Sequence, residues 1–206
     1  MSAPKKKYLI SLCFLLLTST CFSAERGKAL FNLCISCHGQ QGNGDKEAGG
    51  PAIAGMPQYY IEAQLEKFVS NARGAHPEDD NGNRMRPMAR TLATEDIKIV
   101  AEFVASLKPV APIATLGGDP EKGKAAFTVC ASCHGQSGEG NPIMHAPPLK
   151  YSNDWYLLRQ LIHFKAKIRA GDPSTDPVGS VMTAMAGTLA DEQSMKDVIS
   201  YVQSLK

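Results

Sequence analysis

Apolar and polar positions along this 206-residue chain follow the period of an α-helix, and the same three periodic stretches occur twice. The first opens near Arg26 and turns Ala29, Leu30, Leu33 and Cys34 to one face, because residues three and four apart are neighbours on a helix surface. The second runs from Gln58 to Ala72, with Tyr59, Ile61, Leu65, Phe68 and Val69 as its buried candidates. The third begins at a capping residue, Thr94, and carries Ile97, Val100, Val104 and Leu107. The second set opens near Lys122, Asp154 and Asp191, and its last helix carries Met195, Val198, Val202 and Leu205. Nothing alternates with the two-residue period of a strand. The expected fold class is all-α.

The recurrence extends to the letters. ERGKALFNLCISCHGQQGNGD from Glu25 aligns with EKGKAAFTVCASCHGQSGEGN from Glu121 at an offset of 96, which still holds where Arg73 faces Arg169. The offset is 97 where MRPMARTLATED from Met85 faces MTAMAGTLADEQ from Met182, so one residue has been inserted between the two registers. A repeat of this length is a duplicated domain, not a solenoid unit. Between the copies, KPVAPIATLGGDP holds three prolines around a Gly-Gly pair, two before it and one after, and reads as a semi-extended linker. The organisation predicted is a first domain over 25–108, a linker over 109–118 and a second domain over 119–206. Domains this small have marginal apolar cores, so each should be supplemented by something else.

Residues 1–24, MSAPKKKYLISLCFLLLTSTCFSA, place three lysines before an uncharged apolar stretch and then small residues. That order is a secretory signal, and the apolar stretch is shorter than the ~20 residues of a membrane span, which weighs against a retained anchor. Cys21 follows Thr-Ser-Thr without the leucine usual before a lipidated cysteine. Losing Lys5, Lys6 and Lys7 turns the formal charge of +2 slightly negative, so charge gives no support for nucleic-acid binding. Cys13 and Cys21 leave with the signal. Cys34, Cys37, Cys130 and Cys133 remain, every one inside a Cys-x-x-Cys-His run, with none left over for a structural disulfide.

On a helix, Cys34, Cys37 and His38 stand at i, i+3 and i+4, which puts two thiols and an imidazole on one face. The arrangement suits c-type haem attachment: the thiols add to two vinyl groups and the histidine reaches the iron. A four-thiolate zinc site would leave the histidine after each pair unexplained. A thioredoxin-like motif would need a βαβ context. With one histidine ligand, the iron's other face decides between carrier and catalyst, and a methionine there closes it and raises its potential. Each copy offers two methionines expected in a loop before the last helix: Met85 and Met88, and Met182 and Met185. The competing role is flexible core filling.

The Cys-x-x-Cys-His near the start of each copy, the Gly-Pro segment around Pro51 and the methionine seven residues before a leucine resemble class I cytochrome c. Two such domains behind a secretion signal resemble the dihaem cytochrome c4 family, over nearly all of the chain after the signal. The resemblance implies three main helices around one covalent haem c in each domain. It implies attachment through Cys34, Cys37, Cys130 and Cys133, and axial ligation by His38 and His134. Its register selects Met85 and Met182, seven residues before Leu92 and Leu189, with Met88 and Met185 as alternatives. It also implies that a proline carbonyl orients each histidine, at Pro51 and at Pro147 or Pro148.

The function implied is a periplasmic electron carrier, not an enzyme, working between redox partner proteins. The donor implied is a quinol-oxidising complex and the acceptor a haem-copper oxidase. Peripheral membrane association is left open. The alternatives are a dihaem peroxidase or dehydrogenase subunit with one open iron, and a zinc-binding interaction module. Tyr59, Tyr60, Trp155 and Tyr156 are read as core or as propionate donors, and Arg73 and Arg169 as propionate partners or, by default, solvated arginines. His76, His145 and His163 have no matching histidine in the other copy and are assigned no iron; His145 and Met144 compete only if Met182 is not the ligand. Glu78, Asp79 and Asp80 read as solvated surface that steers a basic partner.

Overall fold

The structure, a computed structural model, describes residues 23–205. The expected signal therefore lies almost wholly outside the described residues. The first copy builds α1 over 23–31, α2 Ile35–His38, α3 Gln58–Val69, α4 Asp80–Arg90 and α5 Thr94–Ser106. The second builds α6 Pro120–His134, α7 Asp154–Lys165, α8 Pro177–Gly187 and α9 Glu192–Ser204. Among the described residues there is no named strand, only isolated bridges Asp45 to Gly50 and Asn141 to Ala146. No helix among them is long and apolar enough to cross a membrane.

The three expected helices of each copy are present, and a fourth joins them. It is the short helix that carries the methionine pair, α4 or α8, where a loop was expected. The cause lies in its start. Asp79 accepts the Gly82 N–H at 3.0 Å and Asp176 accepts the Gly179 N–H at 2.7 Å, satisfying donors that a helix N-terminus leaves free. Only glycine fits at the accepting turn: a Cβ on Gly82 would lie 2.1 Å from Asp79 Oδ2, and one on Gly179 2.3 Å from Asp176 Oδ2. Thr94 is the first residue of α5 and not its cap, which is Ala93 with no side-chain bond. Asp191 caps α9 as expected, in a reciprocal pair with Ser194.

The first helix is continuous in the second copy and broken in the first. Leu33 N–H reaches Leu30 O at 3.1 Å and Cys34 N–H reaches Phe31 O at 2.8 Å, three-residue bonds that tighten the turn. Leu33 is 48% exposed instead of buried, as is the matching Val129 in the continuous α6, and Val69, at the end of α3, is also exposed. The i to i+4 relation needed by the motif survives, with His38 N–H on Cys34 O at 2.9 Å.

Each copy closes its own core by crossing its first and last helices. Phe31, Val100, Ala101 and Val104 form one cluster with Met56 and Ile61. Phe127, Ala131, Met195, Val198, Ile199 and Val202 form the other with Leu189. A glycine sits at each crossing. A Cβ on Gly123 would stand 2.0 Å from Asp197 O, whereas one on Gly27 would first meet the Phe103 side chain at 2.7 Å. Gly123→Ala should therefore destabilise the protein by about 1–3 kcal/mol, because helix backbone must move. Gly27→Ala should cost less. Chemical denaturation reads both as a lower midpoint at unchanged slope.

Candidate functional site

Both motif histidines are buried at the C-terminal ends of their helices, each 6% exposed. His38 Nδ1 lies 2.7 Å from Pro51 O and His134 Nδ1 lies 2.8 Å from Pro147 O. A carbonyl only accepts, so each Nδ1 is the protonated nitrogen and each Nε2 keeps its lone pair. Burial lowers the pKa of both rings, against the pull of the carbonyl, and keeps them neutral. A neutral imidazole fixed through one nitrogen is what a metal requires of the other. In the second copy the carbonyl is that of Pro147, not Pro148.

The cysteines beside these rings form no disulfide with one another. Burial, with Cys37 adjacent, pushes Cys34 up to about 11, and burial likewise raises Cys130. No cluster of three or more His, Cys, Asp or Glu that could hold a zinc ion forms among the described residues. Instead, all four cysteines, both histidines and Met85, Met88, Met182 and Met185 line one cavity of about 770 Å³ that extends through both copies. Its wall is mainly apolar. It is also faced by Arg73, Arg159 and Arg169, each with a buried guanidinium N–H that has no protein acceptor. A flat apolar ring with acidic side chains fits this donor set, since buried N–H groups are rarely left unpaired. Exposure separates the first methionine pair, with Met85 half-buried and Met88 exposed, whereas Met182 and Met185 are both half-buried.

A polar network joins the copies about a pseudo-twofold axis. Arg73 donates to Gln64 Oε1 at 2.7 Å, to Tyr156 OH at 3.0 Å and to Gln160 Oε1 at 3.3 Å. Arg169 donates to Gln160 Oε1 at 2.5 Å and to Gln64 Oε1 at 2.9 Å, with Tyr60 also hydrogen-bonded to it. Each guanidinium stacks on its own copy's phenylalanine, Arg73 over Phe68 and Arg169 over Phe164, both at 4.6 Å. Burial would raise the Tyr156 pKa, but the two guanidiniums outweigh it and lower it. The expectation of solvated arginines is thus corrected for this pair, and Arg169 is only 7% exposed. Asp79 likewise is buried, not solvated surface. Gln64 and Gln160 went unremarked in the sequence, although their matched positions on the helical stripe were visible there.

The proline loops are also held from the opposite copy. Tyr59 OH donates to Ala146 O at 2.9 Å, the residue before Pro147. Asn153 Oδ1 accepts the Ala52 N–H at 2.6 Å, the residue after Pro51. Trp155 instead packs edge-on against Tyr156. His76 and His145 are exposed, as is Met144.

Around the cavity mouth the copies differ. Val129, Ile143, Met144, Val178 and Val181 are exposed apolar residues in the second. The first has Leu33, Glu47, Ala48, Asn81 and Arg84 at the corresponding positions. Helix α4 carries Arg84, Arg86 and Arg90, whereas α8 has no charged residue.

Residues 24–108 and 120–206 each match the family model described as Cytochrome c, which makes the chain two fused cytochrome c domains. It is 31% identical over 195 residues to cytochrome c4 of Thiocapsa roseopersicina, covering 88% of this chain and 92% of that one. The chain belongs to the dihaem cytochrome c4 family of electron-transfer proteins, with two covalently bound haem c groups. It is also 34% identical over 154 residues to the thiosulfate dehydrogenase electron acceptor of Thiomonas intermedia (strain K12), covering 68% of this chain and spanning 66% of that relative. The fold matches thiosulfate dehydrogenase of Marichromatium purpuratum with a TM-score of 0.73 at 28% identity, over 89% of this chain and 40% of that one.

Asn153→Ala removes the acceptor of a buried N–H beside Pro51. It should cost about 1–3 kcal/mol, read from the denaturant midpoint, whereas Tyr59→Phe, which leaves only a carbonyl to rehydrate, should cost less.

Proposed function

We propose that the chain is a periplasmic carrier passing single electrons between respiratory proteins, with both irons closed by histidine and methionine. Cys34 and Cys37 hold one haem and Cys130 and Cys133 the other, His38 and His134 bind the irons, and Met85 and Met182 complete them. The observation that carries this reading is the duplication of the whole device: in each copy a neutral histidine locked by a proline carbonyl faces the cavity that a methionine-bearing helix also lines. Each haem supplies a one-electron ferrous/ferric couple. The chain's own residues bind it, exclude water with an apolar wall, orient the imidazole and offer guanidinium donors to its acidic groups. Met85 is favoured over Met88 by its burial, and Met182 over Met185 by the matching register.

The donor fits a quinol-oxidising complex and the acceptor a haem-copper oxidase. The two cavity rims suit this two-sided role, since one bears Asn81 and Arg84 and the other Val178 and Val181. A second reading takes the electron donor to be a thiosulfate-oxidising enzyme, as the name of the Thiomonas relative suggests. The cytochrome c4 relative, of which the chain spans 92%, supports the carrier reading.

Mass analysis of the purified protein should show a gain equal to two haem groups, and no gain would end this reading. Met85→Ala should abolish the near-infrared methionine-to-iron band of one haem and lower its potential. Met88→Ala should leave the band in place, and the reverse pattern would move the ligand to Met88. An iron that is permanently high-spin in the unaltered protein would favour an enzyme.

A further inference from the structure

Among the described residues, a lysine and a histidine each reach a carboxylate of the other copy, and each contact ends on the helix carrying that copy's methionines. Lys67 Nζ, on α3, lies 2.7 Å from Asp176 Oδ1, and Asp176 is the N-cap of α8. His163, on α7, occupies the position matching Lys67, and its Nδ1 lies 3.6 Å from Asp79 Oδ1, the N-cap of α4. Both carboxylates are nearly shut off from water, Asp79 at 5% and Asp176 at 3% exposure. A carboxylate so placed depends on protein partners to balance its charge. Its own helix supplies one glycine N–H, and the opposite copy supplies the cation. From cap to Met85 or Met182 is under two helical turns.

We propose that Lys67 and His163 are positioning residues that act across the boundary. Each fixes the first turn of the methionine-bearing helix in the opposite domain, and so sets how firmly that domain's iron holds its sulfur. The inference rests on the proposed methionine ligation.

The pairs match in place and differ in strength. The Lys67 ammonium makes a charge-assisted hydrogen bond. His163 stands beyond hydrogen-bond length, and its buried Nδ1 has no hydrogen-bond partner. Burial lowers its pKa from the ordinary 6.5, Asp79 pulls it up, and Arg159, Arg169 and Arg73 push it further down. These are the charged groups around it, contributed by α4, by the loop after α3 and by its own domain. Hence α8 is held by a charged lysine, while α4 is gripped tightly only once His163 gains a proton, at a pH below 6.5. The sequence showed only an unmatched histidine.

Carbon monoxide binding to the ferrous holoprotein tests this, because the probe must displace the methionine and does not itself titrate. Met85→His and Met182→His mark which rate belongs to which haem. Lys67→Met should speed binding at the second haem by about tenfold or more, leave the first unchanged, and be rescued by Lys67→Arg. In the unaltered protein the rate at the first haem should fall as pH is lowered from about 8 to about 5, while the second stays flat. His163→Lys should slow the first haem and remove its pH dependence. Acceleration in the altered residue's own domain, no change at either haem, or pH dependence that persists in His163→Lys would overturn the inference. If Lys67→Met does not fold, Asp176→Asn and the His163→Lys arm decide it. Should Met88→His and Met185→His prove to be the marking variants, the proposed ligand register falls. Those methionines lie on the same helices, so the crossed response still decides this inference.

Discussion

The hydrogen bond between a histidine Nδ1 and a proline carbonyl is the constraint around which each copy is organised. It fixes the tautomer, the ring plane and the neutral state at once, and it works only if the carbonyl is held still. That requirement explains features that otherwise look unrelated. The short bridges Asp45 to Gly50 and Asn141 to Ala146 close the loops that deliver Pro51 and Pro147. The neighbouring peptides are then pinned by Asn153 and Tyr59 from the opposite copy. A loop of a small domain is thereby held by a second domain, which offsets the limited core that a chain segment of this size can build.

Duplication gave two equal sites, and the contacts between them are swapped rather than shared. Arg73 and Arg169 each reach a glutamine of their own copy and one of the other. Buried guanidiniums are costly to desolvate and add little net stability compared with an apolar seam. Their value is directional: a fork of donors meets its acceptors in one relative orientation, so the network fixes the register between the copies.

Much of this was legible in the letters. The Cys-x-x-Cys-His repeats, the helical stripes of Ile97, Val100 and Val104 and of Met195, Val198 and Val202, and the Asp191 cap are local signals, and the structure places them as their spacing requires. What could not be read depended on the other copy. Arg73, Arg169 and Asp79 carry the composition of surface residues and are covered only when two domains meet, which no periodicity within either domain can reveal. The helix under Met85 and Met182 was hidden differently. Its apolar stripe is weak, and its evidence lies in the Asp-x-x-Gly starts at Asp79 and Asp176, where a glycine permits a cap that other residues would obstruct. Leu33 departs from its stripe, and so does the matching Val129 in an unbroken helix, so both lie at the edge of the buried face, which a three- or four-residue spacing does not distinguish.

Where the symmetry breaks, function has room to differ. The apolar rim of the second copy and the arginine-bearing α4 of the first occupy matching places in the repeat, yet they present different chemistry to the solvent. A helix with three arginines attracts acidic surfaces over a distance that salt shortens, whereas an apolar rim gains only on contact and is largely indifferent to salt. Both surfaces lie outside the buried histidine geometry, so neither compromises it. A carrier whose two ends recognise partners by different forces can be loaded at one end and unloaded at the other without the two partners competing for a single face. Two fused domains offer that separation, and one domain with a single rim does not.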